Sequence, residues 1–208
     1  MAVGNLLVTS GCTWDTDGLN IPANNYAISE GPFIPNTSDG SYTISLAIKY
    51  EYFYTNNESI VSQSENTNCS YSGSLFSIFR QNNYLGIGYR YNASSGSYKT
   101  LSNFFSSTNG LNYVIDLVYT ASHMYVYKNG ALFSDWDVSG TLFTPTFKLG
   151  LKCFTNANGV YSTYSNIIKY YAINLYDRAL SAEEIEENFN TYNTRFNLGL
   201  WGGTINEY

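Results

Sequence analysis

Charged residues are scarce in this chain, and positive ones are the scarcest. Only 12% of the 208 residues are charged, and 10 basic against 16 acidic residues leave a formal net charge of −6. The basic residues are scattered along the chain rather than clustered. Because proteins bind nucleic-acid phosphates with concentrated Lys and Arg, this composition argues against a nucleic-acid partner.

Long hydrophobic runs are also missing. No apolar stretch approaches the roughly 18 residues that a membrane-spanning helix needs, so membrane insertion is not expected. Residues 1–7 lack the basic segment and the long apolar core of a signal peptide. We therefore expect either synthesis without signal-directed export or a domain taken from a longer protein.

Cysteine and histidine are too few for the common metal and catalytic sites. The three cysteines, Cys12, Cys69 and Cys153, cannot all pair, and their spacing matches no zinc motif. His123 is the single histidine, which rules out a histidine-based metal cluster. No Gly-x-Ser-x-Gly elbow is present, and no Glu-x-Asp-x-x-Glu run offers the paired carboxylates of glycoside hydrolysis. The chain is predicted not to be an enzyme.

Tyrosine, phenylalanine and asparagine are abundant, with 21, 12 and 25 residues respectively. Aromatic and small polar residues with little Lys or Glu are typical of sheets and loops rather than helices. Apolar residues alternate with polar ones in short segments separated by turn residues, and Asn129-Gly130 is a strong hairpin signal. The alternating segments are 42–51, 75–79, 84–91, 113–119, 123–127, 147–151 and 167–176. Residues 54–74 and 155–159 are predicted to be long loops.

The end of the chain predicts a strand that runs into one short helix. Tyr171, Ile173 and Leu175 are spaced to share one face of the strand. Ser181 and Glu184 have the spacing of a capping box, and Leu180 and Ile185 that of a hydrophobic staple. The helix is predicted near 182–190, with Ala182, Ile185 and Phe189 on its buried side. The tail, 191–208, is expected to pack on the core or on a partner chain, because Phe196, Leu198, Leu200 and Trp201 are apolar.

Three stretches together indicate a family. The run 175–185, Leu-Tyr-Asp-Arg-Ala-Leu-Ser-Ala-Glu-Glu-Ile, resembles the closing signature of laminin-G-like domains of the concanavalin A-like superfamily. Residues 40–49 are similar to an early core strand of that family, and 113–132 to its central hairpin. The resemblance spans roughly residues 14–190 and implies an all-β, two-sheet antiparallel β-sandwich of jelly-roll type. The length suits one such domain over 1–208. Members of this family include recognition domains, some of which hold calcium.

Strand alternation predicts a binding surface. If Ile44, Leu46, Ile115, Leu117, Met124 and Val126 face the core, their neighbours face outward. Gly86 and Gly88 would then leave a shallow floor beside aromatic and polar side chains, which suits a sugar. The candidate glycan-binding residues are Tyr84, Arg90, Asp116, His123, Tyr125, Tyr127 and Trp136. The same face can equally be solvated or covered by another subunit, and Trp136 can equally be a plug at the edge of the sandwich.

Asp15 and Asp17 form the one candidate metal site. Closely spaced carboxylates followed by a turn glycine, Gly18, suit a hard cation, so calcium is the ion to consider. The remaining ligands of a complete calcium loop are missing, and no cofactor is otherwise required.

Composition and resemblance together favour a non-catalytic recognition module. The chain resembles laminin-G-like domains of bacteriophage virion proteins in lacking a signal peptide, in its acidic balance and in its few cysteines. We expect binding to glycans of a bacterial cell surface by a virion or host-attachment protein, with other virion subunits or copies of itself as partners. The alternatives are a structural virion protein that uses the sandwich only for protein contacts, and a carbohydrate-binding domain of a secreted bacterial glycan-degrading protein. The expected location is the virion or the extracellular space.

Overall fold

The computed structural model describes residues 6–8, 11–32, 40–52, 58–64, 74–90, 96–138, 148–156, 159–163 and 166–200. These residues form sixteen strands and one helix. The strands are β1 Leu6–Val8, β2 Thr13–Trp14, β3 Leu19–Ile21, β4 Ala27–Pro32, β5 Tyr42–Tyr52, β6 Glu58–Ser64, β7 Ser74–Gln81, β8 Tyr84–Arg90, β9 Gly96–Leu101, β10 Leu111–Tyr119, β11 His123–Lys128, β12 Ala131–Asp137, β13 Lys148–Leu151, β14 Cys153–Asn156, β15 Gly159–Thr163 and β16 Ile167–Tyr176; the helix is α1 Ala182–Arg195. No helix in these ranges has the length and apolar character that crossing a membrane requires.

The strands form two seven-stranded antiparallel sheets and a small β14–β15 hairpin. The first sheet has the order β1-β4-β13-β6-β7-β8-β9, and the second has the order β12-β11-β10-β5-β16-β3-β2. Their inner faces share one buried cluster that includes Ile44, Leu46, Ile115, Leu117, Met124 and Val126. The predicted two-sheet β-sandwich and its inward-facing residues are therefore confirmed. Asn129 and Gly130 both have positive φ, 52° and 82°, as the predicted two-residue turn requires.

Strand β6 lies inside the stretch that was predicted to be a loop. It pairs with β13 on one side and β7 on the other, so Ser59 and Ser62 are buried in the middle of a sheet. Their hydroxyls donate to the carbonyl oxygen of Cys153 at 2.9 and 2.7 Å. Buried serines are tolerated here because their hydrogen bonds are satisfied by the main chain, which alternation in the sequence does not reveal.

A β-bulge changes the predicted face of β16. The pairing with β5 shifts register between Tyr170 and Ala172, so Tyr170 joins the inner core while Tyr171 packs with the outer cluster of Ala47 and Val114. Ile173 and Leu175 lie against the inner core. The prediction that Tyr171 shares a face with these two is wrong, because the extra residue of a bulge inverts the alternation beyond it.

Helix α1 begins as predicted and is longer than predicted. The Ser181 Oγ accepts from the Glu184 N–H at 3.3 Å, and the Glu184 Oε2 accepts from the Ser181 N–H at 2.9 Å, which confirms the capping box. Leu180 and Ile185 are buried in one cluster, as a hydrophobic staple requires. The helix extends to Arg195 because Tyr192 continues the buried stripe of Ile185 and Phe189. Ala182, predicted to be buried, is exposed.

The helix and the residues after it lie on the outer face of the second sheet. Phe189, Tyr192 and Leu198 form a cluster with Ala47 of β5 and Val114 of β10. Ile185 and Leu180 form another with Val118 and Tyr127. Strand β5 is consequently buried on both faces over residues 42–48. Trp201, the last of the four apolar tail residues named in the sequence analysis, lies outside the described residues.

Thr43 joins the turn before α1 to the sheet, and its loss should be costly. Its Oγ1 donates to the carbonyl of Arg178 at 2.9 Å and accepts from the buried Leu180 N–H at 3.0 Å. We expect the isosteric change Thr43→Val to lower the free energy of unfolding by about 1–3 kcal/mol, since both main-chain groups lose their partner. Urea unfolding measures it, with the exposed Thr191→Val as the matched control. Equal stability of Thr43→Val and the parent would contradict this role.

Candidate functional site

Two of the predicted binding residues are buried beneath the helix. Asp116 of β10 and Tyr127 of β11 are cross-strand partners on the outer face of the second sheet. Asp116 is 0% exposed and Tyr127 is 8% exposed, because α1 covers this part of the face. The prediction that they face solvent is wrong. Their alternation along the strands was correct, but a helix from the far end of the chain occupies the space above them.

The predicted glycine floor is also filled. Phe79 of β7 is the cross-strand partner of Gly86, and a β-carbon on Gly86 would lie 2.0 Å from the Phe79 ring. The ring thus occupies the space that the missing side chain leaves, and both residues are buried. Tyr84 is exposed at the start of β8. The side chain of Arg90 lies outside the described part of the chain.

Trp136 lies at the edge of the sandwich, on the inner side of β12. It is the partner of the buried Met124 and packs against the inner core. Lys99 of β9, the edge strand of the other sheet, places its Nζ 5.8 Å from the Trp136 ring centre. This position corresponds to the plug interpretation rather than to an open sugar platform.

Two other predicted residues come together with two carboxylates that the sequence did not single out as candidates. His123 and Tyr125 of β11 face outward beside Asp135 and Asp137 of β12, their cross-strand partners. The His123 Nδ1 lies 2.8 Å from Asp137 Oδ1, and its Nε2 lies 3.2 Å from Asp135 Oδ1. The His123 and Tyr125 ring centres are 4.5 Å apart. We call these four residues the His123 patch.

The His123 patch lies beside the start of α1 and carries negative charge. Tyr125 touches the buried cluster of Leu180 and Ile185 with one side, and the two aspartates lie on the exposed edge strand. Hydrogen bonds to Asp137 and Asp135 raise the pKa of His123, because the protonated ring can donate to both carboxylates. The patch therefore has a net charge of −1 when His123 is protonated and −2 when it is neutral.

The sequence contains a weak indication that Asp135 and Asp137 belong to this patch. Their spacing of two places both side chains on one face of a strand, and the hairpin at Asn129-Gly130 sets that strand beside His123. The exact pairing could not be read from the sequence, because the β11–β12 ladder shifts register between Val126 and Tyr127.

The candidate calcium residues are engaged by a lysine. Asp15 accepts from the N–H groups of Asp17 and Gly18, both at 2.9 Å, and its Oδ2 lies 2.8 Å from Lys169 Nζ. The Lys169 Nζ is also 3.6 Å from Asp17. These bonds, above all the one from Lys169, hold the pKa of Asp15 well below its usual range. Among the described residues, no group of three or more His, Cys, Asp or Glu side chains is placed to hold a metal ion.

The fold is shared with solved structures, although no protein-family model and no curated protein matches the chain. This arrangement of sheets is that of a two-sheet β-sandwich. Its similar structures include botulinum neurotoxin type C, which depends on interaction with two ganglioside molecules to enter cells: TM-score 0.69, 16% identity, over 91% of this chain and 46% of that one.

Two further similar structures are binding domains of botulinum neurotoxin DC. One is in complex with rat synaptotagmin II, with TM-score 0.69 and 15% identity, over 91% of this chain and 47% of that one. The other is in complex with SialylT, with TM-score 0.70, 16% identity and the same coverage. At this level of identity the likeness shows the fold alone. The chain spans about half the length of the structures that it matches.

Proposed function

We propose that this chain is a non-catalytic recognition module that binds glycans through the His123 patch. The observation that carries the proposal is the Tyr125–His123 ring pair, which lies on the surface between two exposed carboxylates. Carboxylate oxygens accept hydrogen bonds from sugar hydroxyls, while an aromatic ring contacts the apolar face of a sugar. Tyrosine supplies such contact at low entropic cost.

The similar structures support a binding role without assigning the ligand. One is a toxin whose cell entry depends on gangliosides, and two are binding domains in complex with SialylT or with synaptotagmin II. Since this chain corresponds to less than half of each, those ligands stay with those proteins, and only a general recognition role is carried over here.

The described carboxyl groups support the absence of catalysis. Burial raises the pKa of Asp116 to about 7, a value suited to a general acid, but this carboxyl group is buried under the docked helix and is not part of the exposed His123 patch. Asp135 and Asp137 are exposed and share a single imidazole as their partner. Both contact the same His123 ring, an arrangement that differs from the acid and base held on either side of a sugar bond in glycoside hydrolysis.

The biological setting that we propose is host attachment, in a virion or at another extracellular location. It rests on the resemblance of 175–185 to laminin-G-like domains and on the acidic, cysteine-poor composition. The partner would then be a glycan of a bacterial cell surface.

A structural role in an assembled particle is the second candidate, and one observation favours it. Leu132 and Phe133, 51% and 37% exposed, lie on β12, the edge strand of the second sheet. Exposed apolar residues on an edge strand are suited to contact with another protein chain. Light scattering on the purified protein separates the two. An oligomer that Leu132→Glu dissociates would favour the structural role, and a monomer would favour the recognition module.

Glycan arrays and intact bacterial cells, each with calcium present and chelated, test the proposed function. We expect selective binding that chelation leaves unchanged, because Lys169 engages Asp15 and Asp17. Absence of binding to both arrays and cells would contradict the recognition module. Loss of binding on chelation would instead indicate that binding requires a calcium ion held by Asp15 and Asp17.

The variant Tyr125→Ala should weaken this binding. We expect the dissociation constant to rise at least about tenfold, since the aromatic contact surface is lost. Tyr127 is left unchanged in this test because it is buried. Tyr98→Ala, the same change at a 55% exposed tyrosine on the other sheet, is the matched control. If Tyr98→Ala weakens binding and Tyr125→Ala does not, the His123 patch is not the binding site.

A further inference from the structure

An ionisable group lies between α1 and the sheet that it covers. Asp116 is fully buried on the outer face of β10, under the helix. Its Oδ1 accepts a hydrogen bond from the Ser45 hydroxyl of β5. Its Oδ2 is buried and has no hydrogen-bond partner among the described residues. A carboxylate in this position would keep a charge with one hydrogen bond and almost no solvent.

A hydrogen bond from the sheet holds the helix next to this carboxyl group. The Tyr192 hydroxyl of α1 accepts from the Asn174 amide of β16. Ser45 and Asp116 lie close to the same hydroxyl. Tyr192 therefore joins α1 to the sheet beside the buried carboxyl group.

The groups around Asp116 do not compensate a negative charge. Its ionisable neighbours among the described residues are Tyr127 of β11 and Tyr192 of α1; Glu183, Tyr125 and Asp135 lie near Tyr127, and Tyr176 of β16 lies near Tyr192. Burial raises the pKa of Asp116, and the hydrogen bond from Ser45 lowers it; these are the two causes that act on it among the described residues. No described lysine, arginine or histidine is among them, so ionisation would leave an unpaired charge beneath the helix.

We propose that α1 is a proton-controlled cover of the second sheet, held closed when Asp116 is protonated and released when its carboxyl group ionises. Opening exposes the sheet face of Ser45, Asp116 and Tyr127. The two states differ in whether Asp116 is solvated, which is the differential interaction that a population shift requires. This inference does not depend on the ligand of the His123 patch.

The direction of the pH dependence follows from linkage. The pKa of Asp116 is about 7 with the helix docked, against 3.8 for an exposed carboxyl group. Docking is thus strongest below about pH 4 and weakens about tenfold for each pH unit up to about pH 7. Above that value both states are ionised, and the docking equilibrium levels off.

Hydrogen exchange of the α1 amides, corrected for intrinsic rates, measures docking across this pH range. In the parent protein we expect the protection of residues 185–192 to fall by at least a hundredfold from about pH 4 to about pH 7. In Asp116→Asn, which keeps the acceptor for Ser45 but cannot ionise, protection should vary less than about threefold. Glu187→Gln, a matched change at an exposed carboxyl group on the same helix, should behave like the parent.

Two results would overturn the proposal. One is an equal pH dependence of helix protection in the parent and in Asp116→Asn. The other is a parallel loss of protection in α1 and in β5, which would mean that the whole domain unfolds rather than that the helix opens. If Asp116→Asn proves too unstable to study, Tyr192→Phe provides a second route. It removes the hydroxyl that accepts from Asn174 and should lower helix protection at every pH while the pH dependence persists; loss of the dependence would also count against the proposal.

Discussion

Arg80→Met is expected to lower the free energy of unfolding by about 3–5 kcal/mol, because it removes a buried cation that interacts with the buried Glu58 and leaves two main-chain carbonyl groups without their partner. Arg80 of β7 and Glu58 of β6 are cross-strand partners, and both are buried inside the sandwich. The Arg80 guanidinium donates to the carbonyls of Asn82 at 2.8 Å and Ser106 at 2.6 Å. It also lies 4.8 Å from the ring centres of Tyr50 and Phe105. The variant loses all of these contacts.

The loss of unfolding free energy should be large because Glu58 remains buried in the variant. After the change, its carboxyl group stays in the core with Lys152 as the remaining described cation that interacts with it. The informative control is the double variant that removes both charged side chains. Replacing two buried groups of opposite charge with apolar residues is often neutral, so Glu58→Leu/Arg80→Met should recover at least half of the stability that Arg80→Met loses. Urea unfolding at unchanged m value gives the comparison. A loss below about 1 kcal/mol for Arg80→Met would contradict a stabilising interaction between Arg80 and Glu58.

Phe189→Ala should cost a similar amount, about 3–5 kcal/mol, through the cavity that it leaves. Phe189 is buried against Ala47 and Val114, and its ring lies over the turn at Gly130. A β-carbon on Gly130 would lie 2.9 Å from this ring, so the turn and the helix are in close contact. The helix has few other large apolar residues with which to fill the space.

Two probes of unfolding show which part of the molecule loses stability in Phe189→Ala. Helix ellipticity and tryptophan fluorescence should both shift to lower urea in Phe189→Ala, with ellipticity shifting at least as far. Asn190→Ala, on the exposed side of the same helix turn, should change stability by less than about 0.5 kcal/mol. Equal stability of the two variants would mean that α1 contributes little to holding the sandwich together.

The candidate site was predicted in part. His123 and Tyr125 were correctly placed on an outward face, because that follows from alternation along one strand. Asp116 and Tyr127 satisfy the same alternation and are nevertheless buried. Nothing in β10 or β11 distinguishes these two pairs, since the difference is made by where α1 ends up. Asp135 and Asp137 became part of the site through pairing across a ladder that contains an irregularity.

Local features of the chain were determined by the sequence alone. The inward faces of β5, β10 and β11, the turn at Asn129-Gly130, and the capped start of α1 all depend on residues close together along the chain, where geometry permits few arrangements. Only the tertiary structure decided what covers each outer face. The bulge in β16, the ring of Phe79 over Gly86, and the helix over Asp116 depend on contacts between segments far apart in sequence. Burial, and with it the pKa of a carboxyl group, is a property of those contacts rather than of the residue and its neighbours.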